Sequence, residues 1–306
     1  MQADPTFAWS KPPGELVEFV CSFLATGAVG FRYSALRGKL GGRSEARVHD
    51  DSARLAALIG LFAQFIIVGR LGLILPRLAE RQQTTIGGLL TGWPSSVGPW
   101  LAFLALIGFA LAAARFPIGW LLAALGVIVG PLAAIFTGQW ARLVNPLHML
   151  FGGLWIGTLF ILVVAGLSMV LRDEPSREER GRLAAEMVNA FSPLALTCGV
   201  LLVASGLTTA WMHLGSIPAL WSTPYGYALL VKLALVATVF TLGAWNWRRQ
   251  RPGLGSEGAA HSIRRSARAE LLVAGLVLIV TSILVSLPAP AEQRPPAAPP
   301  AATQGP

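Results

Sequence analysis

Apolar residues along this chain fall in long runs, separated by short stretches rich in arginine, proline and glycine. Eight such runs stand out, at about 16–36, 54–76, 97–115, 117–139, 145–171, 187–213, 225–247 and 269–287. Each is about as long as a helix must be to cross a hydrocarbon core roughly 30 Å thick. None shows the alternating ~10-residue segments of a transmembrane barrel. The pattern predicts an all-α polytopic membrane protein, a bundle of eight transmembrane helices.

Composition sharpens this picture. Charged residues are 13% of the 306 and hydrophobic ones 54%, where soluble domains carry about 25% charged residues. The net charge of +9 does not point to nucleic acid, because the basic residues sit at the ends of the apolar runs, where topology accounts for them. The connectors after runs one, three, five and seven hold sixteen arginines and lysines, against five on the other side. The positive-inside rule puts the richer side in the cytoplasm and both termini outside. The organisation expected is an outer segment 1–15, a four-helix half 16–139, a second four-helix half 140–288 and a Pro/Ala-rich disordered tail 289–306. Residues 1–15 lack a basic region before an apolar core, so no cleaved leader is expected.

A few polar side chains fall inside or at the rim of the apolar runs, where ionisable groups invite a functional reading. Arg32 and Arg70 lie near run ends and can snorkel. Lys232 lies about 10 Å below the outer edge of run seven. It either snorkels, pairs with a carboxylate or guards a pore. Glu15 and Glu18, one turn apart at the outer start of run one, read as a solvated helix start or as outer-face cation ligands. Gly126 with Gly130, and Gly153 with Gly157, are small-xxx-small pairs suited to close helix packing. In run six, Gly199, Gly206 and His213 recur at seven-residue steps, beside a second row of Cys198, Ser205 and Met212. Such rows share one helix face. They read as glycine-mediated packing, or as a polar, sulfur-containing line leading inward from Met212. The two cysteines, Cys21 and Cys198, are both within apolar runs and form no CxxC pair.

Metal-ligand chemistry converges at one place. Run five opens with His148-Met149 and run six closes with Met212-His213. The short polar connector between them makes the two helices antiparallel neighbours, which brings both pairs to the outer face at depths agreeing within a helical turn. Thioether sulfur favours Cu(I), and imidazole accepts either oxidation state of copper. A plainer reading stays open: histidines beside Trp140, Trp155, Trp211 and Trp221 within an aromatic belt. So does a membrane haem protein with His148 and His213 as axial ligands. No P-loop, dinucleotide fingerprint or nucleophile–histidine–acid set is visible, so no enzymatic activity is expected.

From Phe191 to Pro288 the chain resembles the copper resistance protein D (CopD) family. The resemblance rests on FSPLAL at 191–196, the glycine of LLVASGLTTAW, STPYGYALLVKLALV at 222–236, AWN at 244–246 and RRSARAELLVAGLVLIVTSILVSLPA. LHMLFGGLWIG at 147–157 resembles the family's histidine-containing helix, whereas runs one to four match only in number and hydrophobicity. The resemblance implies an eight-span inner-membrane permease that moves copper ions from periplasm to cytoplasm, with a periplasmic CopC-type copper-binding protein as partner. A non-transporting assembly or sensor subunit is the remaining alternative. By position the resemblance carries over His148, Tyr225 and Lys232; with the residues' own chemistry the expected ligands are His148, Met149, Met212 and His213, with Cys198, Ser205, Tyr225, Lys232, Gln139, Trp155, Glu15 and Glu18 as pathway or support. The chain departs from the family at Gln139, where a histidine is common, and at Ala190, where an arginine is common. Glutamine offers copper only a hard amide oxygen.

Overall fold

The computed structural model describes residues 11–36, 43–93, 96–137, 143–173, 176–250 and 257–293. Its elements are helices α1 (Lys11–Tyr33), α2 (Arg43–Arg81), α3 (Ile86–Thr91), α4 (Val97–Ala113) and α5 (Pro117–Val129), then α6 (Val144–Arg172), α7 (Arg177–Leu214), α8 (Ala219–Ser222), α9 (Pro224–Gln250) and α10 (Glu257–Ser286). No strand occurs among the described residues. Among the described residues six helices are long and apolar enough to cross a membrane: α1, α2, α6, α7, α9 and α10. Two shorter apolar helices, Val97–Ala113 and Pro117–Ala133, occupy the places of runs three and four.

The second short helix is cut by its own sequence. Pro131 follows Gly130 and carries no N–H for the helical ladder, so α5 tightens into 3₁₀ turns over Gly130–Thr137. The turn before it is tight. Arg115 takes a left-handed φ of 69° and Pro117 starts α5, folding α4 and α5 into a hairpin.

Elsewhere helices outrun the apolar runs. The connector expected after run five is mostly helix. Ser176 caps α7, its hydroxyl accepting from the Glu179 N–H at 3.4 Å, and Ser-x-x-Glu is a capping signature. α2 likewise begins at Arg43, well before its apolar stretch. Hydrophobicity marks only the part of a helix that must sit in hydrocarbon; charged turns continue it into water.

α6 is the central rod, with 61% of its most apolar window buried, against 11–44% for the other five. It packs on α1 through glycine. A Cβ on Gly27 would run into the Gly157 backbone, and one on Gly153 would stand 3.0 Å from Thr26. The Gly153/Gly157 pair thus does what its spacing predicts, as does Gly126 against Leu101 and Ala105 of α4. α6 widens into π turns at Gly153–Gly157 and Leu162–Gly166. Carbonyls of the second turn take side-chain donors: Ser168 Oγ donates to Val163 O at 2.9 Å, and Ser52 Oγ of α2 to Ala165 O at 3.3 Å. On the outside, Phe62, Phe65, Leu73, Leu196, Leu207 and Leu272 are exposed on helix faces. Water would tolerate that much apolar surface poorly, while lipid solvates it. The fold is a multi-pass helical membrane bundle.

Candidate functional site

α6 and α7 are packed neighbours, and their contact is built from rings set into glycine notches. His148 and Trp155 are seven residues apart on α6; Gly199 and Gly206 are seven apart on α7. Running antiparallel, each ring meets a missing side chain. A Cβ on Gly206 would stand 2.9 Å from His148 Cε1 and 3.4 Å from Nδ1. One on Gly199 would stand 3.8 Å from Trp155 and 3.2 Å from Phe240. Trp155 is buried, its ring centroid 4.7 Å from that of Phe240. It is a core residue, not part of an aromatic belt. Trp211 and Trp221, by contrast, are exposed.

The hydrogen bonds around His148 suit one tautomer. Its Nδ1 lies 3.1 Å from Ser205 Oγ. The single Ser205 hydroxyl proton is directed at the Leu201 carbonyl, 2.7 Å away. With its proton on that carbonyl the oxygen can accept from the imidazole, an arrangement that suits the Nδ1–H tautomer, in which Nε2 keeps its lone pair. His213 reaches the same state by another route. Its Nδ1 is 2.9 Å from the Thr209 carbonyl, and a carbonyl only accepts. Both arrangements suit a free Nε2.

They do so at two levels. His148 meets α7 at Ser205 and Gly206, whereas His213 lies seven residues further along, about 10 Å at 1.5 Å per residue. The register of the helix pair sets the two imidazoles at successive levels of α7. Equal depth follows only if both helices begin where their apolar runs do, whereas α7 starts at Arg177, well before its run and on the arginine-rich side. His213 instead lies nearly parallel to Tyr225, at 12° with 6.3 Å between centroids.

The turn at 223–226 explains that contact. Thr223 Oγ1 accepts from the Gly226 N–H at 3.0 Å, capping α9, and Pro224 starts the helix, where its missing N–H costs nothing. Gly226 is pressed against the carbonyls of Ala219 and Leu220, which leaves Tyr225 buried and facing His213. On the α7 side, Gly215 takes φ 65° and its N–H bonds the Trp211 carbonyl at 3.0 Å. A left-handed glycine is the usual helix stop, and it leaves His213 in the last turn.

Lys232 of α9 is within electrostatic reach of His148, and no carboxylate lies at ion-pair distance from it among the described residues. Met212 is 47% exposed and Met149 half-buried. Cys198 is buried one heptad inward of Ser205. Glu18 does not face the histidines: it pairs with Arg70 of α2 at 3.2 Å. Glu15 lies half-buried within the first turns of α1. Gln139 and Trp140 lie outside the described residues. Among the described residues no three His, Cys, Asp or Glu side chains form a group able to hold a metal. Sequence reasoning did not find the acceptor role of Ser205 or the notch at Gly206. The signal was present: the heptad row of α7 is complementary to that of α6.

The fold and these polar positions define a multi-pass helical membrane protein with two imidazoles on one helix pair. Residues 185–284 match the family model described as Copper resistance protein D. The chain is also 33% identical over 175 residues to the "Copper transport protein CutJ" of Bacillus subtilis (strain 168), a match taking in 54% of this chain and 30% of that relative. Residues 185–284 are thus similar to the copper resistance protein D family, and the chain spans about a third of the length of the relative it matches. No solved structure matches it.

Proposed function

We propose that this protein handles copper within the membrane, as a permease that carries the ion inward from the periplasmic face. What supports this reading is the shared geometry of His148 and His213: each sets its Nδ1 against an oxygen, Ser205 Oγ or the Thr209 carbonyl, which suits a ligating Nε2. Imidazole nitrogen fixed in this way is a metal ligand with its supporting partner in place. The family match and the name of the Bacillus relative supply the metal.

The geometry favours two successive stations over one four-ligand cage. The outer holds His213 with Met212 next to it in sequence, at the mouth of α7. The inner holds His148, about 10 Å further along α7, with Met149 adjacent in sequence. Thioether and imidazole can replace part of the hydration shell of Cu(I) without adding charge. The bundle then has eight membrane segments in all, its arginine-rich side cytoplasmic and both termini periplasmic; the CopC-type periplasmic protein is the partner that would deliver the ion.

Copper uptake into proteoliposomes tests the reading. His148→Ala and His213→Ala are each expected to reduce uptake at least tenfold, and the double variant to abolish it. Uptake equal to wild type in a folded, inserted double variant would refute the proposal. A haem Soret band in the purified protein would favour the haem reading instead.

A further inference from the structure

A second built feature lies in the other half of the bundle, far from the histidines in sequence and not needed for copper. Three arginines from three separate segments converge on one cavity of about 290 Å³. Arg32 comes from the end of α1, Arg54 from α2 and Arg115 from the α4–α5 turn. Arg115 is presented by its left-handed backbone, a conformation uncommon outside glycine. His49, Asp50 and Trp120 complete the polar rim and the wall.

The charges there do not balance. Arg115 pairs with Asp51 at 3.1 Å. Among the described residues, Arg32 and Arg54 have no carboxylate at ion-pair distance, and Asp50 is the lone acidic residue of the lining. A cavity walled by three guanidinium groups favours an anion, and guanidinium forks match phosphate oxygens.

What lies beside the cavity selects the kind of phosphate. Leu58, Phe62 and Phe65 are all exposed. With Arg54 they fall within about 80° of one face of α2, reaching about 16 Å along the helix. Arg54 also borders a second, more open hollow lined by Leu58, Met169 and Arg172. A cationic head site at the water boundary is thus continuous with an apolar track running into the bilayer.

We propose that this cavity binds the phosphate headgroup of an anionic phospholipid, with Arg32, Arg54 and Arg115 on the phosphate and an acyl chain along Leu58, Phe62 and Phe65. Basic pockets between membrane helices are a known mode of headgroup recognition. The bound lipid would bridge α1, α2 and the short α4–α5 hairpin.

Native mass spectrometry on delipidated full-length protein tests this, with phosphatidylglycerol, phosphatidylcholine and inorganic phosphate titrated separately. The expected result is a preference for phosphatidylglycerol of about tenfold or more. Arg54→Gln, at an exposed position without an ion-pair partner, should weaken phosphatidylglycerol about fivefold. Arg54→Lys, which keeps the charge, should weaken it less. Three results would each overturn the proposal: equal binding of phosphatidylcholine, undiminished binding by Arg54→Gln, or displacement of the lipid by millimolar inorganic phosphate. The last would make the cavity a site for small anions.

Discussion

Gly206→Ala changes one hydrogen to a methyl group, and the structure says what that methyl meets. Its Cβ would stand 2.9 Å from His148 Cε1 and 3.4 Å from Nδ1. Relaxed carbon–carbon contacts are about 3.5–4.0 Å, so the imidazole must withdraw by roughly 0.7 Å. The obstacle is the end of a side chain, so the ring moves and the backbone stays. The Nδ1–Ser205 bond of 3.1 Å has little slack before it passes the range of a hydrogen bond. Losing it costs about 1 kcal/mol, while alanine gains about 1 kcal/mol over glycine as a helix former. Stability should hardly change. Copper uptake should fall, because loosening the partner of a ligating histidine typically costs about 10–100-fold. The assay is copper uptake into proteoliposomes beside thermal unfolding, with Gly275→Ala, whose Cβ meets nothing within 4 Å, as the control. Unchanged uptake would refute the role given to the notch. So would lost uptake accompanied by a large drop in melting temperature, because the defect would then be one of folding.

Other expectations follow from the same geometry. Ser205→Ala removes the acceptor that holds the His148 tautomer; uptake should fall about tenfold with little loss of stability, and a variant as active as wild type would count against the assignment of Nε2 as the free nitrogen. Gly27→Ala drives a methyl into the Gly157 backbone, which cannot swing aside; a loss of about 3 kcal/mol, read by thermal unfolding in detergent, is expected. Ser176→Ala removes the α7 cap and should cost about 1 kcal/mol, with uptake preserved at temperatures well below unfolding.

The membrane bundle was legible because hydrocarbon leaves helices few alternatives, and apolar length alone locates them. The glycine pairs were legible too: Gly153 and Gly157 meet α1, and Gly126 meets α4. What composition could not show was where helices end. Arg43 and Arg177 start α2 and α7 within stretches that read as connectors, because arginine and glutamate are good helix formers once a cap such as Ser176 is in place. That error carried into the site. Depth counted from an apolar edge put His148 and His213 level, whereas packing sets His148 against Gly206. The Thr-Pro-Tyr-Gly turn was visible as a motif, but its work, capping α9 and pressing Tyr225 towards His213, needed the Gly226 contacts to be seen.

The two stations differ in field as well as in depth. His213 sits in the last turn of α7, where unpaired carbonyls carry a partial negative charge that favours a cation. His148 sits near the start of α6, where the partial charge is positive, and within reach of Lys232. In the proposed passage the same imidazole chemistry would hold a cation more firmly at the mouth than inside. Conduction needs entry to be favourable and each inner site weak enough to leave. In the proposed passage Lys232 therefore acts on the ion without binding it, by keeping the His148 station shallow, which accounts for an unpaired lysine beside a cation route. Lys232→Met would then tighten copper at His148 and slow its release. In single-turnover uptake this should appear as protein-bound copper that accumulates before any reaches the lumen.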